Sequence, residues 1–318
     1  MTQTIRGHVF DIPMRVRFRG QEHRLGMVIE GAAGWGEFSP FPDYDAATCA
    51  RWLAAAREAA ELGWPAPLRT TVAVNTTVPA VGPEQAHAMV AASGCSTAKV
   101  KVAETGQTLA DDIARVEAVR DALGPSGALR IDANAAWDVD RAAHALTELS
   151  RFDLEYAEQP VPHLEDMAAL RRRVDVRLAA DESIRTAEDP LRVAGLDAAD
   201  VVVLKVQPLG GVRVCLAVAE ACGLPVVVSS AVETSVGIAA GLALAAALPD
   251  LPFACGLGTI PLLAGDICDD SLVPVDGSIA VRRVAPSSDM LAKYATDDGQ
   301  IAWWNGRFAA AGEVLDAS

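Results

Sequence analysis

The sequence predicts an α/β protein: a modified TIM-type (β/α) barrel carrying an N-terminal α+β capping domain that the C-terminal tail completes. Three observations predict it. From about residue 70 onward, short apolar runs alternate with amphipathic stretches of helical period. The first 65 or so residues alternate instead like antiparallel strands, and the tail after about residue 263 loses the strand–helix rhythm.

The apolar runs are Thr70–Val74, Ala98–Val102, Ala128–Asp132, Leu154–Glu158, Arg177–Asp181, Val201–Val206, Pro225–Ser230 and Phe253–Leu257. Their starts lie roughly 23 to 30 residues apart, the length of one strand, one helix and two loops. Leu109–Leu123, Arg141–Leu149 and Val212–Ala221 are helical patterns between them. Eight such units favour a closed barrel over an open doubly wound sheet. No GxGxxG follows the first run, so a dinucleotide fold has little support. At the N-terminus, Gly7–Val9, Met14–Phe18 and Gly26–Glu30 read as strands and Asp45–Leu62 as an Ala-rich helix. The division expected is a cap of residues 1–68 and 263–318 around a barrel of residues 69–262.

Composition narrows the class. The 318 residues suffice for one barrel and a smaller partner, and 51% hydrophobic against 22% charged residues argues against disorder. A net charge of −15 argues against nucleic acid, whose phosphates need clustered Lys and Arg. The same charge repels anions at long range, so any anion site must be made by a few local cations. The apolar run Val236 to Leu248 is too short to cross a bilayer and reads as a buried helix. The opening MTQTIRGHVFDIPM has no apolar targeting segment, and six scattered cysteines without a CxxC pair read as thiols of a reducing compartment. A cytoplasmic enzyme with no membrane partner is the expectation.

Ionisable residues inside a barrel strand need a reason, and here they fall near the C-terminal ends of five successive runs. Lys99 and Lys101 share one face of the second run, since side chains at i and i+2 point the same way. The third carries Asp132 and Asn134, the fourth ends in Glu158 before Gln159 and Pro160, the fifth in Asp181 before Glu182, and the sixth in Lys205. Each carboxylate alone could be a helix cap or a surface ion pair. Together, at matching strand ends, Asp132, Glu158 and Asp181 suit a hard divalent cation, Mg²⁺ with Mn²⁺ as a substitute. Lysines on either side of such an ion suit removal of a proton next to a substrate carboxylate. The base must be neutral, so a lysine ordinarily near about 10.4 has to titrate far lower.

The ordered set KxK, DxN, EQP, DES and an isolated strand lysine resembles the enolase superfamily, in its muconate-lactonising-enzyme-like branch. Within the branch, the short chain, Ser229-Ser230-Ala-Val-Glu233-Thr-Ser235 and Gly256-Leu257-Gly258 are most similar to the dehydratases of menaquinone synthesis. The resemblance implies dehydration of 2-succinyl-6-hydroxy-2,4-cyclohexadiene-1-carboxylate to an aromatic product. It implies Lys101 as the base that takes the alpha proton and returns it to the departing hydroxyl. Lys99 would keep Lys101 neutral and touch the substrate carboxylate, and Lys205 would face the ring as a cation. Ser229, Ser230, Gly256, Asn134, Arg19 and Arg130 are candidate substrate contacts. Arg19 is either a lid residue for the distal carboxylate or part of a solvated turn, and Arg130 either reaches the site or pairs with a ligand carboxylate. An N-acylamino acid racemase or dipeptide epimerase needs the same two lysines, and a Schiff-base aldolase could use Lys205 without a metal. The sequence leaves the oligomeric state open.

Overall fold

β-branched and aliphatic runs bounded by turn residues make the strands, and the two grains read in the sequence become two kinds of sheet. The computed structural model describes residues 7–18, 20–185 and 190–317. Strands β1 (Gly7–Phe18), β2 (Gln21–Gly31) and β3 (Gly34–Phe38) form an antiparallel meander. β1 is one continuous strand where two short ones were expected. Pro13, which has no N–H to give, is tolerated because β1 is an edge strand and its register shifts beyond Pro13.

The barrel strands are β4 (Thr71–Val78), β5 (Thr97–Lys101), β6 (Ala128–Asp132), β7 (Leu154–Glu158), β8 (Leu178–Ala180), β9 (Val201–Leu204), β10 (Val226–Val228) and β11 (Cys255–Gly258). β12 (Ser278–Ala280) pairs antiparallel with the start of β4. The parallel order is β10-β9-β8-β7-β6-β5-β4-β11, and a bridge between Ser229 and Gly256 joins its two ends into a barrel. Each of the eight runs read from the sequence overlaps one of these strands, though β4, β5 and β11 each extend beyond their run by one to four residues.

Parallel strands must be covered on both faces. Outside, helices such as Leu109–Leu123, Val139–Leu149 and Val212–Cys222 pack on a continuous aliphatic core. Inside, Tyr156, Ala179, Val201, Val203 and Val227 form an apolar layer, closed from below by Phe253. The helix Ser235–Ala247 is buried along almost its whole length, as its unbroken apolar run requires, between the barrel and β3 of the cap. The long helix Asp298–Ala317 lies on the helix Ala46–Arg57, where Trp304 and Ala311 meet Trp52 and Leu53. Among the described residues no helix is long and apolar enough to cross a membrane.

Candidate active site

Register decides which side chains meet. Lys99 pairs with Arg130 and Lys101 with Asp132 between β5 and β6; Asp132 in turn pairs with Glu158 on β7. Partners in parallel strands point to the same face, so the five strand ends deliver Lys99, Lys101, Asp132, Glu158, Asp181 and Lys205 into the barrel mouth. All six are buried.

Their amines and carboxylates close on one another. Lys99 Nζ donates to Glu158 Oε1 and Oε2 at 2.9 and 2.7 Å and lies 3.3 Å from Asp132 Oδ2. Lys101 Nζ donates to Asp132 Oδ2 at 2.5 Å and to Asn134 Oδ1 at 2.6 Å. Lys205 Nζ donates to Asp181 Oδ2 at 2.5 Å, and Arg185 Nε to the other Asp181 oxygen at 3.1 Å. Burial alone would pull the Lys99 ammonium down, but Glu158 and then Asp132 override it and hold the amine above its usual range. Burial opposes the Asp132 carboxylate as well, yet Lys101 and Lys99 hold it well below the carboxylate range. Lys205 and Arg185 do the same for Asp181.

Glu158 goes the other way. Burial and then the neighbouring Asp132 push it up to about 7, with Asp181 adding to the rise against the pull of Lys99. Three buried carboxylates on adjacent strand ends are the donor chemistry that a hard divalent ion takes. Among the described residues no three acidic, histidine or cysteine side chains stand ready-made around a common point. The reason is visible: each carboxylate is turned onto an amine.

The loops at the strand ends are built to hold this cluster. Asn134, Ala135 and Gln159 all take positive φ, 44°, 63° and 37°. Asn134 N donates to Asp132 Oδ1 at 3.0 Å, fixing that carboxylate. The Gln159 side chain accepts from the backbone N–H of Asp181 and Ser183 at 3.0 and 3.1 Å, tying β7 to the end of β8.

Of the other candidates, Ser229, Ser230 and Gly256 line the cavity beside Lys99, Lys101, Asp132 and Lys205. Arg130 takes neither expected course. Its side chain turns down into the barrel, where Nε meets Glu155 Oε2 at 2.5 Å and Nη1 meets Asn75 Oδ1 and the Ala254 carbonyl at 3.1 and 2.7 Å. Its guanidinium also stacks 4.7 Å from the Tyr156 ring centre. The inward face was legible; the reach of a long side chain away from the mouth was not. Arg19 lies outside the described residues.

Four contributors escaped the sequence reading. Phe18, at the end of β1, lines the cavity with its ring centre 5.1 Å from Lys101 Nζ. Thr77 and Thr259 also line it. Arg185 was detectable, since it follows Asp181 by one helical turn. Phe18 was not, because nothing local connects β1 to a strand some eighty residues on.

Comparison with known proteins fixes the class. Residues 83–286 match the model described as enolase C-terminal domain-like, and residues 9–60 match enolase N-terminal domain-like. Muconate lactonizing enzyme from Pseudomonas fluorescens superposes with a TM-score of 0.78 at 22% identity, covering 92% of this chain and 99% of that one. The dipeptide epimerase from Enterococcus faecalis superposes with a TM-score of 0.74, also at 22% identity, covering 89% and 97%. Barrel, cap and both domain matches make this chain an enzyme of the enolase superfamily.

Its relatives are more particular. The o-succinylbenzoate synthase of Thermobifida fusca is 65% identical over 305 residues, 96% of this chain and 95% of that one. That of Mycolicibacterium smegmatis is 51% identical over 305 residues, 95% and 94% of the two chains. Within the superfamily the chain belongs to the o-succinylbenzoate synthases, which sets aside the Schiff-base aldolase reading.

Proposed function

We propose that the protein dehydrates 2-succinyl-6-hydroxy-2,4-cyclohexadiene-1-carboxylate to 2-succinylbenzoate, as a cytoplasmic step of menaquinone synthesis. The observation that carries the reading is 65% identity over 96% of the chain to an o-succinylbenzoate synthase. The lysine–carboxylate cluster supplies the chemical means.

Lys101 is the base. Its amine, neutral in the reacting state rather than paired as an ammonium with Asp132, takes the alpha proton, the carbon–hydroxyl bond breaks, and the same amine returns the proton to the departing hydroxyl, so that water leaves and the ring becomes aromatic. Lys99, held cationic by Glu158 and Asp132, keeps positive charge beside the substrate carboxylate and disfavours a second charge on Lys101. Lys205, paired with Asp181, stays cationic against the opposite face of the ring. Asp132, Glu158 and Asp181 would hold Mg²⁺, or Mn²⁺ in its place. A divalent ion there supplies charge that stabilises the anion developing on the substrate carboxylate as its alpha carbon loses a proton. Ser229, Ser230 and Gly256 form the wall available to the succinyl arm.

The test is a purified-enzyme assay with Mg²⁺ on the cyclohexadiene carboxylate, beside a panel of N-succinyl amino acids in deuterated water. Dehydration that EDTA abolishes and Mg²⁺ restores is the expected result. Alpha-proton exchange on the amino acids far outpacing dehydration would move the assignment to a racemase. Activity that survives chelation would remove the metal from the mechanism.

A further inference from the structure

The loop after β10 forms one wall of the cavity, where Ala231 and Val232 line it together with Lys99, Lys101 and Lys205. Val232 sits there in left-handed backbone at φ 64°, a strained position for a β-branched residue. Its own loop holds it through Ser230 Oγ, which accepts from Val232 N at 3.2 Å, and the cap holds it from the other side. Arg24, on β2, donates from Nε to the Val232 carbonyl at 2.9 Å, and from Nη2 to the Ser39 carbonyl and hydroxyl at 2.5 and 2.8 Å. Ser39 Oγ donates to Glu37 Oε1 at 2.7 Å. The other Glu37 oxygen accepts from Thr234 Oγ1 at 2.5 Å, Thr234 N at 3.1 Å and Gly237 N at 3.0 Å.

A carboxylate of the cap thus closes the first turn of the barrel helix Ser235–Ala247, and a guanidinium beside it grips the strained residue. Arg24, Glu37, Ser39 and Thr234 are all buried. Burying two charges is expensive, and apolar packing would join two domains as firmly. What a hydrogen-bonded network adds is a fixed geometry.

We infer that Arg24 and Glu37, linked through Ser39, are positioning residues: from the cap they set where Ala231 and Val232 stand in the cavity wall, and thereby the affinity for substrate, without touching it. The inference rests on the proposed reading of the cavity as the site that binds the cyclohexadiene carboxylate.

The experiment compares wild type, Glu37→Gln and Ser39→Ala as metal-loaded full chains. It measures steady-state kinetics on that substrate and hydrogen exchange in the 229–237 segment. Both variants should remain folded at the assay temperature and exchange faster in that segment relative to the rest of the chain. KM should rise about tenfold with kcat within about threefold, as loss of one or two buried charge-assisted hydrogen bonds predicts. Faster exchange with KM unchanged overturns the inference, and so does a loss confined to kcat. Should Glu37→Gln fail to fold, Ser39→Ala decides alone, because it removes only the hydroxyl between the two charges. A wild type that neither binds nor turns over the cyclohexadiene overturns the functional reading and this inference with it. The exchange data, taken without substrate, then still show whether the cap holds the loop, which tells the two failures apart.

Discussion

Lys101 and Lys205 hold their amines 2.5 Å from Asp132 and Asp181, so each removes charge from a carboxylate beside the catalytic role proposed for it. The two roles separate by experiment. Lys101→Ala should lower kcat by about a thousandfold, the usual worth of a positioned base, while the fold persists. Near-normal turnover in that variant would cancel the assignment. Lys205→Ala should lose most of kcat as well, with circular dichroism close to wild type. Asp132→Asn should weaken Mg²⁺ binding by about a hundredfold in calorimetry, because a neutral amide is a poor ligand for a hard cation. An unchanged metal affinity would take Asp132 out of the ligand set. At this scale the sequence was informative wherever strand periodicity sets direction. Lys99 and Lys101 share a face by spacing alone, and the carboxylates lie at matching strand ends. It was silent where length or distance decides, as for Arg130, which shares that face but pairs with Glu155, and for Phe18, which comes from another sheet.

Helix ends are where the cap meets the barrel. Besides Glu37, the cap sends Glu58 across to the helix Val212–Cys222, where its carboxylate accepts from Val212 N at 2.5 Å, Arg213 N at 3.2 Å and Arg213 Nη1 at 2.7 Å. Gly211 is required there twice over: its φ is 134°, and a Cβ would stand 2.5 Å from Glu58 Oε2. Glu58→Ala should therefore lower stability by about 2 kcal/mol, as loss of a buried helix cap does, read from thermal or urea melts. A change within about 0.5 kcal/mol, the scale of an ordinary surface substitution, would show that the contact contributes little. Elements themselves were well read: β6 and β7 begin and end where the apolar runs do, and the helix Leu109–Leu123 matches residue for residue. Their lateral ties were not, since a carboxylate capping a helix some 150 residues away leaves no mark in local pattern.

For the molecule as a whole, burial pushes Glu37 up to about 7, against the pull of Arg24 and with Glu233 adding to the rise. A carboxyl that holds its proton more tightly when folded stabilises the protein below its unfolded value and loses that contribution as pH rises through the folded one. Between about pH 4.5 and 7 wild type should thus lose about 3 kcal/mol relative to Glu37→Gln. Parallel stability-versus-pH curves for the two proteins would contradict this. The closed architecture was readable from eight regular repeats, but the place where the circle shuts was not, because first and last strands carry no mutual signal.

That closure point has a consequence for heat. Among the described residues, β10 and β11 are joined by the Ser229–Gly256 bridge, which Ser230 N reinforces by donating to the Gly256 carbonyl at 3.0 Å. The thinnest stitch of the wall therefore runs beside the cavity proposed to take the substrate. On warming, the enzyme should go slack there first, losing turnover several degrees before its helices melt, and bound 2-succinylbenzoate should delay that early failure more than it delays global unfolding.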